Sequence, residues 1–233
     1  MKAKLLDLID AGREKEEQAL VPFVDDSAPE SPGKWTAKDQ LAHLMSWRQV
    51  AIGELDSART GGPVPDVSTD DDAENLKFYA QTHDQPARLI IESAAGSWDA
   101  MAEAVSACSE ATLEGPRPRY PNQKLWSVVP LNVYNHVAQH LAYWSWDQGD
   151  EAGAEQAATW GHDLAIATFP DDRTRGAAEY NLACIYAQRG MAERALPLLE
   201  RGFELRPDLR EWAKTDTDLD PIRSNPELVA LLS

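Results

Sequence analysis

NVYNHVAQHLAYWSW, residues 132–146, is the stretch from which the fold is read. It predicts a helix from about Leu131 to Trp146, ending near Gly149, in which Asn132, His136, His140 and Trp144 recur at every fourth position. Side chains four apart on a helix stand on one face with Cβ atoms about 6 Å apart, so two neutral imidazoles at 136 and 140 can converge on one ion. The same spacing also suits ordinary polar residues on a helix face, and polar groups buried there need partners.

Working outward, the prolines of EGPRPRYPNQKLWSVVP force an irregular approach to this helix. Upstream, ENLKFYAQTHDQPARLIIESAAGSWDAMAEAVSACSEATL predicts a third helix with Pro86 in a first turn or at a kink, and Leu89, Ile90, Trp98, Met101, Val105 and Cys108 on one core face. GGPVPDVSTDDDAEN reads as a long crossover. Before it, SPGKWTAKDQLAHLMSWRQVAIGELDSARTGG starts with a loop, offers Thr36 as a cap with Asp39 three residues on, and stops at Gly61-Gly62. Residues 2–20 form an amphipathic first helix closed by Pro22. The expectation is all-α: a four-helix bundle over residues 1–150 with a long crossover between its second and third helices.

Beyond Gly149 the chain turns alanine-rich, with a helix over about 153–168. With Pro207 set at the closing position of a 34-residue unit that starts at Gly176, the residues Leu182, Ala183, Tyr186, Gly190 and Ala195 take places where a tetratricopeptide repeat wants those types. Leu199 replaces the usual aromatic and Gly202 the usual alanine. Small residues at 183, 195 and 202 let two antiparallel helices approach, and one such repeat needs neighbours to cover it. Residues 151–233 are therefore expected to be a tetratricopeptide-like helical region, capped by the 153–168 helix and the terminal NPELVALL.

The chain carries 39 acidic against 22 basic residues, a net charge of −17, without a Lys/Arg stripe, which argues against nucleic acid and anionic membranes as partners. Cys108 and Cys184 lie apart among apolar residues, so no disulfide framework is expected. The N-terminus is heavily charged by position 13 and lacks a signal-peptide core, no window is long enough to span a membrane, and a reduced, cytoplasmic setting is the expectation. Phosphate loops, serine-hydrolase elbows, Cys-x-x-Cys and His-Glu-x-x-His motifs are missing from the sequence.

KWTAKDQLAHLMSWRQ, with NVYNHVAQHLAYW about 90 residues later, resembles the DinB/YfiT-like superfamily of four-helix-bundle metalloproteins. Trp35, Thr36, Asp39 and His43 fall on its first motif, and Asn132, Tyr134, His136 and His140 on its second. The resemblance implies a divalent metal, zinc or nickel, held by His43, His136 and His140, with an open position that can activate water or bind a thiol or carbonyl. It implies a hydrolase or thiol-dependent transferase acting on a small molecule, for which Trp47, Trp126 and Trp144 are the expected pocket wall. From their own positions, Asn132 belongs to the polar stripe, and His83, in QTHDQP just before Pro86, is either a solvated histidine or an acid–base or substrate contact. Asp39 reads chiefly as the partner of the Thr36 cap, and His162 as structural. The rival is a non-catalytic metal-binding or scaffold protein whose tetratricopeptide-like segment, residues 176–210, takes a protein partner or joins two copies as a homodimer.

Overall fold

Thr36 opens the helix that carries His43. Its hydroxyl accepts from the Asp39 amide at 3.2 Å while the Asp39 carboxylate accepts from the Thr36 amide at 3.0 Å, a reciprocal cap that satisfies two end amides. Helix α2 then runs Ala37–Thr60 and stops at Gly61, whose φ of +72° a residue with a Cβ rarely adopts. The computed structural model describes residues 1–27, 34–68 and 70–233. Among these no strand forms, one isolated bridge joins Pro116 to Lys124, and no helix is long and apolar enough to cross a membrane. The protein is all-α. Two compact units divide it, Met1–Asp150 and Glu151–Ser233.

The first unit is a helical bundle. Helices α1 (Lys2–Leu20), α2 and α4 (Ala87–Ala107) pack on one another, and α7 (His136–Asp147) leans on α1 and α2. Between α2 and α4 lies α3 (Asp71–Thr82), and between α4 and α7 lie two short pieces, α5 (Glu110–Leu113) and α6 (Val128–Pro130). Three expectations need correction here. The crossover ends sooner than its sequence suggests, because Asp70 caps the Ala73 amide at 3.1 Å and three acidic residues favour the start of a helix, so Asp71 already belongs to α3. The single third helix is two: Pro86 cannot donate an amide and disfavours helical backbone at Gln85, so α3 ends at Thr82 and α4 begins at Ala87, whose amide is taken by Asp26 at 2.7 Å. The fourth helix does not start cleanly at Leu131, since a π turn over Leu131–Asn135 precedes α7. The loop expected ahead of Trp35 falls in part on residues 31–33, outside the described residues.

The second unit contains α8 (Glu151–Thr168), α9 (Asp172–Gln188), α10 (Ala192–Leu205), α11 (Asp208–Ala213) and α12 (Pro226–Leu231). Helices α9 and α10 form an antiparallel hairpin through Gly190, at φ +70°. They approach closely: a Cβ built on Gly202 would stand 3.2 Å from the carbonyl oxygen of Gly176. Helix α8 and the 3-10 segment Thr217–Ile222 cover α9. Tyr186 is buried, with its hydroxyl donating to Glu155 at 2.9 Å and accepting from Arg194 at 2.9 Å.

The bundle core combines leucine packing with two buried ion pairs. Leu5, Leu8, Ile9, Leu41, Leu44, Ile90, Trp98 and Met101 are fully buried. In their midst Arg48 of α2, 0% exposed, donates to both oxygens of Glu16 on α1 at 3.1 and 2.8 Å and to Ser97 on α4 at 2.8 Å, while its guanidinium lies 3.6 Å above the Trp98 ring. Trp98 Nε1 donates to the same Glu16 at 2.8 Å. Arg117 and Glu54 make the second pair, at 2.7 and 2.8 Å. A buried pair adds little net stability, but removing one partner strands the other charge away from water. Glu16→Ala is therefore expected to destabilise the first unit by about 3–5 kcal/mol, read as a lowered denaturant midpoint of its transition.

Candidate metal centre

Three histidines from two helices meet in the first unit. His43 stands one turn past Asp39 on α2; His136 opens α7 directly after the π turn, and His140 follows one turn on. One ring nitrogen from each lies within 4.8 Å of the others. His43 Nε2 and His136 Nε2 are 2.9 Å apart, and ring centroids are 4.4 Å apart for His43 and His140 and 4.6 Å for His136 and His140. Two imidazole nitrogens at that distance cannot both present lone pairs, so a hydrogen or a cation must lie between them.

Burial sets the protonation state. It pushes His43, 5% exposed, down to about 4. His136 and His140 fall well below the ordinary histidine value, chiefly through burial and then through the neighbouring histidines, with Arg48 adding to the effect on His136. All three are neutral at pH 7, the form that ligates metals. Gln40, one turn before His43, settles which nitrogen of His140 is available: its Oε1 lies 2.7 Å from His140 Nδ1, so Nδ1 carries the hydrogen and Nε2 keeps its lone pair. His43 Nδ1 is buried with no hydrogen-bond partner among the described residues, an unmet donor or acceptor at the centre's edge.

Above the cluster, Trp35 lies 4.8 Å from the His43 ring and nearly parallel to His140, 13° off at 6.0 Å. Tyr79 continues the stack, 20° off Trp35 at 6.2 Å, and His83 follows, 24° off Tyr79 at 4.4 Å. The DinB superfamily model matches residues 12–143, more than half of the chain and the span that holds all three histidines. The chain belongs to the DinB superfamily. No curated protein matches it, and no solved structure does.

The pocket residues expected around this DinB-superfamily site are placed differently from one another. His83 is drawn in: its Nδ1 lies 3.0 Å from Asp39 Oδ1, and its Nε2 lies 3.3 Å from the Tyr79 hydroxyl. Asp39 thus holds His83 as well as the Thr36 cap. Trp47 is engaged with α3, donating to Asn75 at 2.9 Å and meeting Phe78 edge-on at 5.4 Å. Trp144 packs on Phe23 at 4.9 Å, Asn132 spends its amide on the Val128 carbonyl at 2.9 Å, and Trp126 is half-buried in the 3-10 turn Leu125–Ser127. Asn132 lies within the π turn, which ends just before His136 and interrupts the regular four-residue stripe. Gln40, Trp35 and Tyr79 were not expected as pocket residues. Gln40 stands three residues before His43 and Tyr79 four before His83, spacings that put each pair on one helix face.

Among the described residues one more group has ligand atoms this close, Cys184, Asp216 and Asp218. There Asp216 already accepts from Tyr180 at 2.7 Å and Trp212 at 3.1 Å, Gln188 bonds Asp218, and burial pushes the Cys184 thiol well up, away from the ligating thiolate.

Because the folded pKa of each centre histidine is depressed, the unfolded chain binds more protons between that value and about 6.5, and stability present at neutral pH is lost as pH falls through that window. His43 alone contributes a loss of about 2 kcal/mol between pH 7 and pH 5. Urea unfolding of metal-free protein at those two pH values is expected to show at least that drop, and His43→Gln to remove about 2 kcal/mol of it.

Proposed function

We propose that this member of the DinB superfamily is a divalent-metal-dependent enzyme, a hydrolase or thiol-dependent transferase acting on a small molecule, with His43, His136 and His140 as its ligand set. The observation that carries the reading is the 2.9 Å approach of two buried, neutral imidazole nitrogens with a third beside them. Three neutral nitrogen donors suit borderline ions such as zinc or nickel better than magnesium or calcium. A divalent ion bound there supplies Lewis-acid chemistry. The chain supplies the rest: Gln40 orients His140, Trp35 shields the His43 and His140 rings from water on one side, and Arg48 keeps its charge matched by Glu16 beneath.

For residues 151–233 we infer a tetratricopeptide-like hairpin, supported by the close Gly176–Gly202 approach and by the left-handed Gly190 between α9 and α10. A scaffold role through residues 176–210 finds less support, because Tyr186 on the α9 side of the hairpin is buried and bonded to Glu155 and Arg194 within its own unit.

Protein purified after growth in zinc-supplemented medium is expected to carry about one equivalent of metal by elemental analysis, and His136→Ala or His140→Ala to carry less than about a tenth of that. Unchanged metal content in both variants would sink the reading. Gln40→Leu leaves the His140 Nδ1 hydrogen without its acceptor and is expected to weaken zinc binding about 10–100-fold in chelator competition.

A further inference from the structure

Asp39 and His83 form a second constellation beside the three histidines. Asp39 is buried, and each of its oxygens is committed: Oδ2 accepts from the Thr36 amide at 3.0 Å and from the Thr36 hydroxyl at 2.6 Å, and Oδ1 faces His83 Nδ1 at 3.0 Å. A carboxylate held on three sides fixes the imidazole opposite it, placing the hydrogen on Nδ1 and leaving Nε2 as acceptor, toward which the Tyr79 hydroxyl donates at 3.3 Å. This is the arrangement of a general base with its orienting acid.

Its position matters as much as its geometry. His83, with its side chain 24% exposed, lines a cleft of about 390 Å³ together with Thr36, Lys38, Asp84 and Pro86, with Asp25 and Asp26 at the same cleft, and it is the one histidine that does so among the described residues. A near-parallel series of rings, His83, Tyr79, Trp35 and His140, leads from that cleft to the metal centre. The cleft has the size of a small-molecule site. It meets the centre through this aromatic series and through α2, where Asp39 and His43 are one turn apart.

We propose that His83, oriented by Asp39, is the proton-transfer residue for a small molecule seated in this cleft, a role that rests on the metal-enzyme reading of the three histidines. His83 Nε2 takes the hydrogen of an acidic X–H group in the cleft, a thiol, hydroxyl or water, and the Tyr79 hydroxyl, which donates to Nε2 at rest, turns aside for the transfer. The electron pair stays on X, the imidazolium is held against the Asp39 carboxylate, and the proton returns along the same path to the departing group. The charged groups that face His83 are Asp39 beneath it, Lys38 of α2 and Asp84 at the cleft, and Asp25 and Asp26 from the segment after α1.

Histidine nitrogen NMR on the full chain, labelled with ¹⁵N at histidine and assigned with His83→Gln, tests this with and without one equivalent of zinc. His83 is expected to carry its hydrogen on Nδ1. Asp39→Asn, which retains a capping side chain, lowers the His83 pKa by about 1, and zinc lowers it by about 0.5 through charge alone. An Nε2–H tautomer, or a His83 pKa unmoved by Asp39→Asn, overturns the pair. Zinc uptake, followed separately by chelator competition, with no response at His83 overturns this role alone. Failure of the wild-type chain to take up zinc overturns the metal-enzyme reading and this role with it.

Discussion

The geometry of the first unit depends on one buried charge. Arg48 is enclosed by Glu16, Ser97 and Trp98, so α1, α2 and α4 must meet at one rotation and one register or leave a guanidinium unpaired in the core. An apolar contact tolerates a slide of an ångström; a two-pronged bond to a carboxylate does not. Five residues before Arg48 on the same helix, His43 is turned about 140° from it around the axis, so the rotation that seats Arg48 also aims His43. Close packing enforces the same fit, since Gly12 of α1 leaves no room for a Cβ between Val133 of the π turn and Trp98.

Local backbone chemistry then connects fold to site. The Thr36–Asp39 cap is ordinary helix-start chemistry, yet the same carboxylate reaches across to the junction between α3 and α4. That junction exists because Pro86 breaks the helix, and His83 lies in the break. The π turn before α7 acts similarly: it shifts the helix phase just before His136, while the four-residue spacing within α7 puts His136 and His140 on one face, against His43 of α2.

The sequence was most legible where the physics is local. The helix cap at Thr36, the stop at Gly61, the paired histidines on α7 and the apolar face of α4 follow from spacing and residue type, except that Leu89, expected on that face, is exposed one position before the buried Ile90. The split at Pro86 and the early start at Asp71 were harder, because a proline or an acidic run is compatible with either a kink or an end until neighbours take up the free amides. The pocket was least legible. Trp47 and Trp144 lie one turn from His43 and His140, but which side of a ring a tryptophan covers is set by what packs on it, here Phe78 and Phe23. Trp35, outside any periodic pattern, reaches the histidines because the cap fixes the direction in which the chain enters α2. Glu16 and Arg48 look like solvent-facing helix residues in isolation, and only their pairing across two helices makes them core.

The charge of the chain also gains a different meaning beside this centre. A net −17 enriches divalent cations around the whole surface without choosing among them. The three imidazoles add no negative charge, and Arg48 nearby would repel a cation if Glu16 did not neutralise it. Affinity at such a site has to come from nitrogen donation rather than from charge, which disfavours the abundant hard ions that carboxylates attract. A strongly acidic surface and an uncharged, nitrogen-lined cluster thus act differently on cations: the first attracts divalent ions of any kind, while three imidazoles are a donor set that hard ions disfavour.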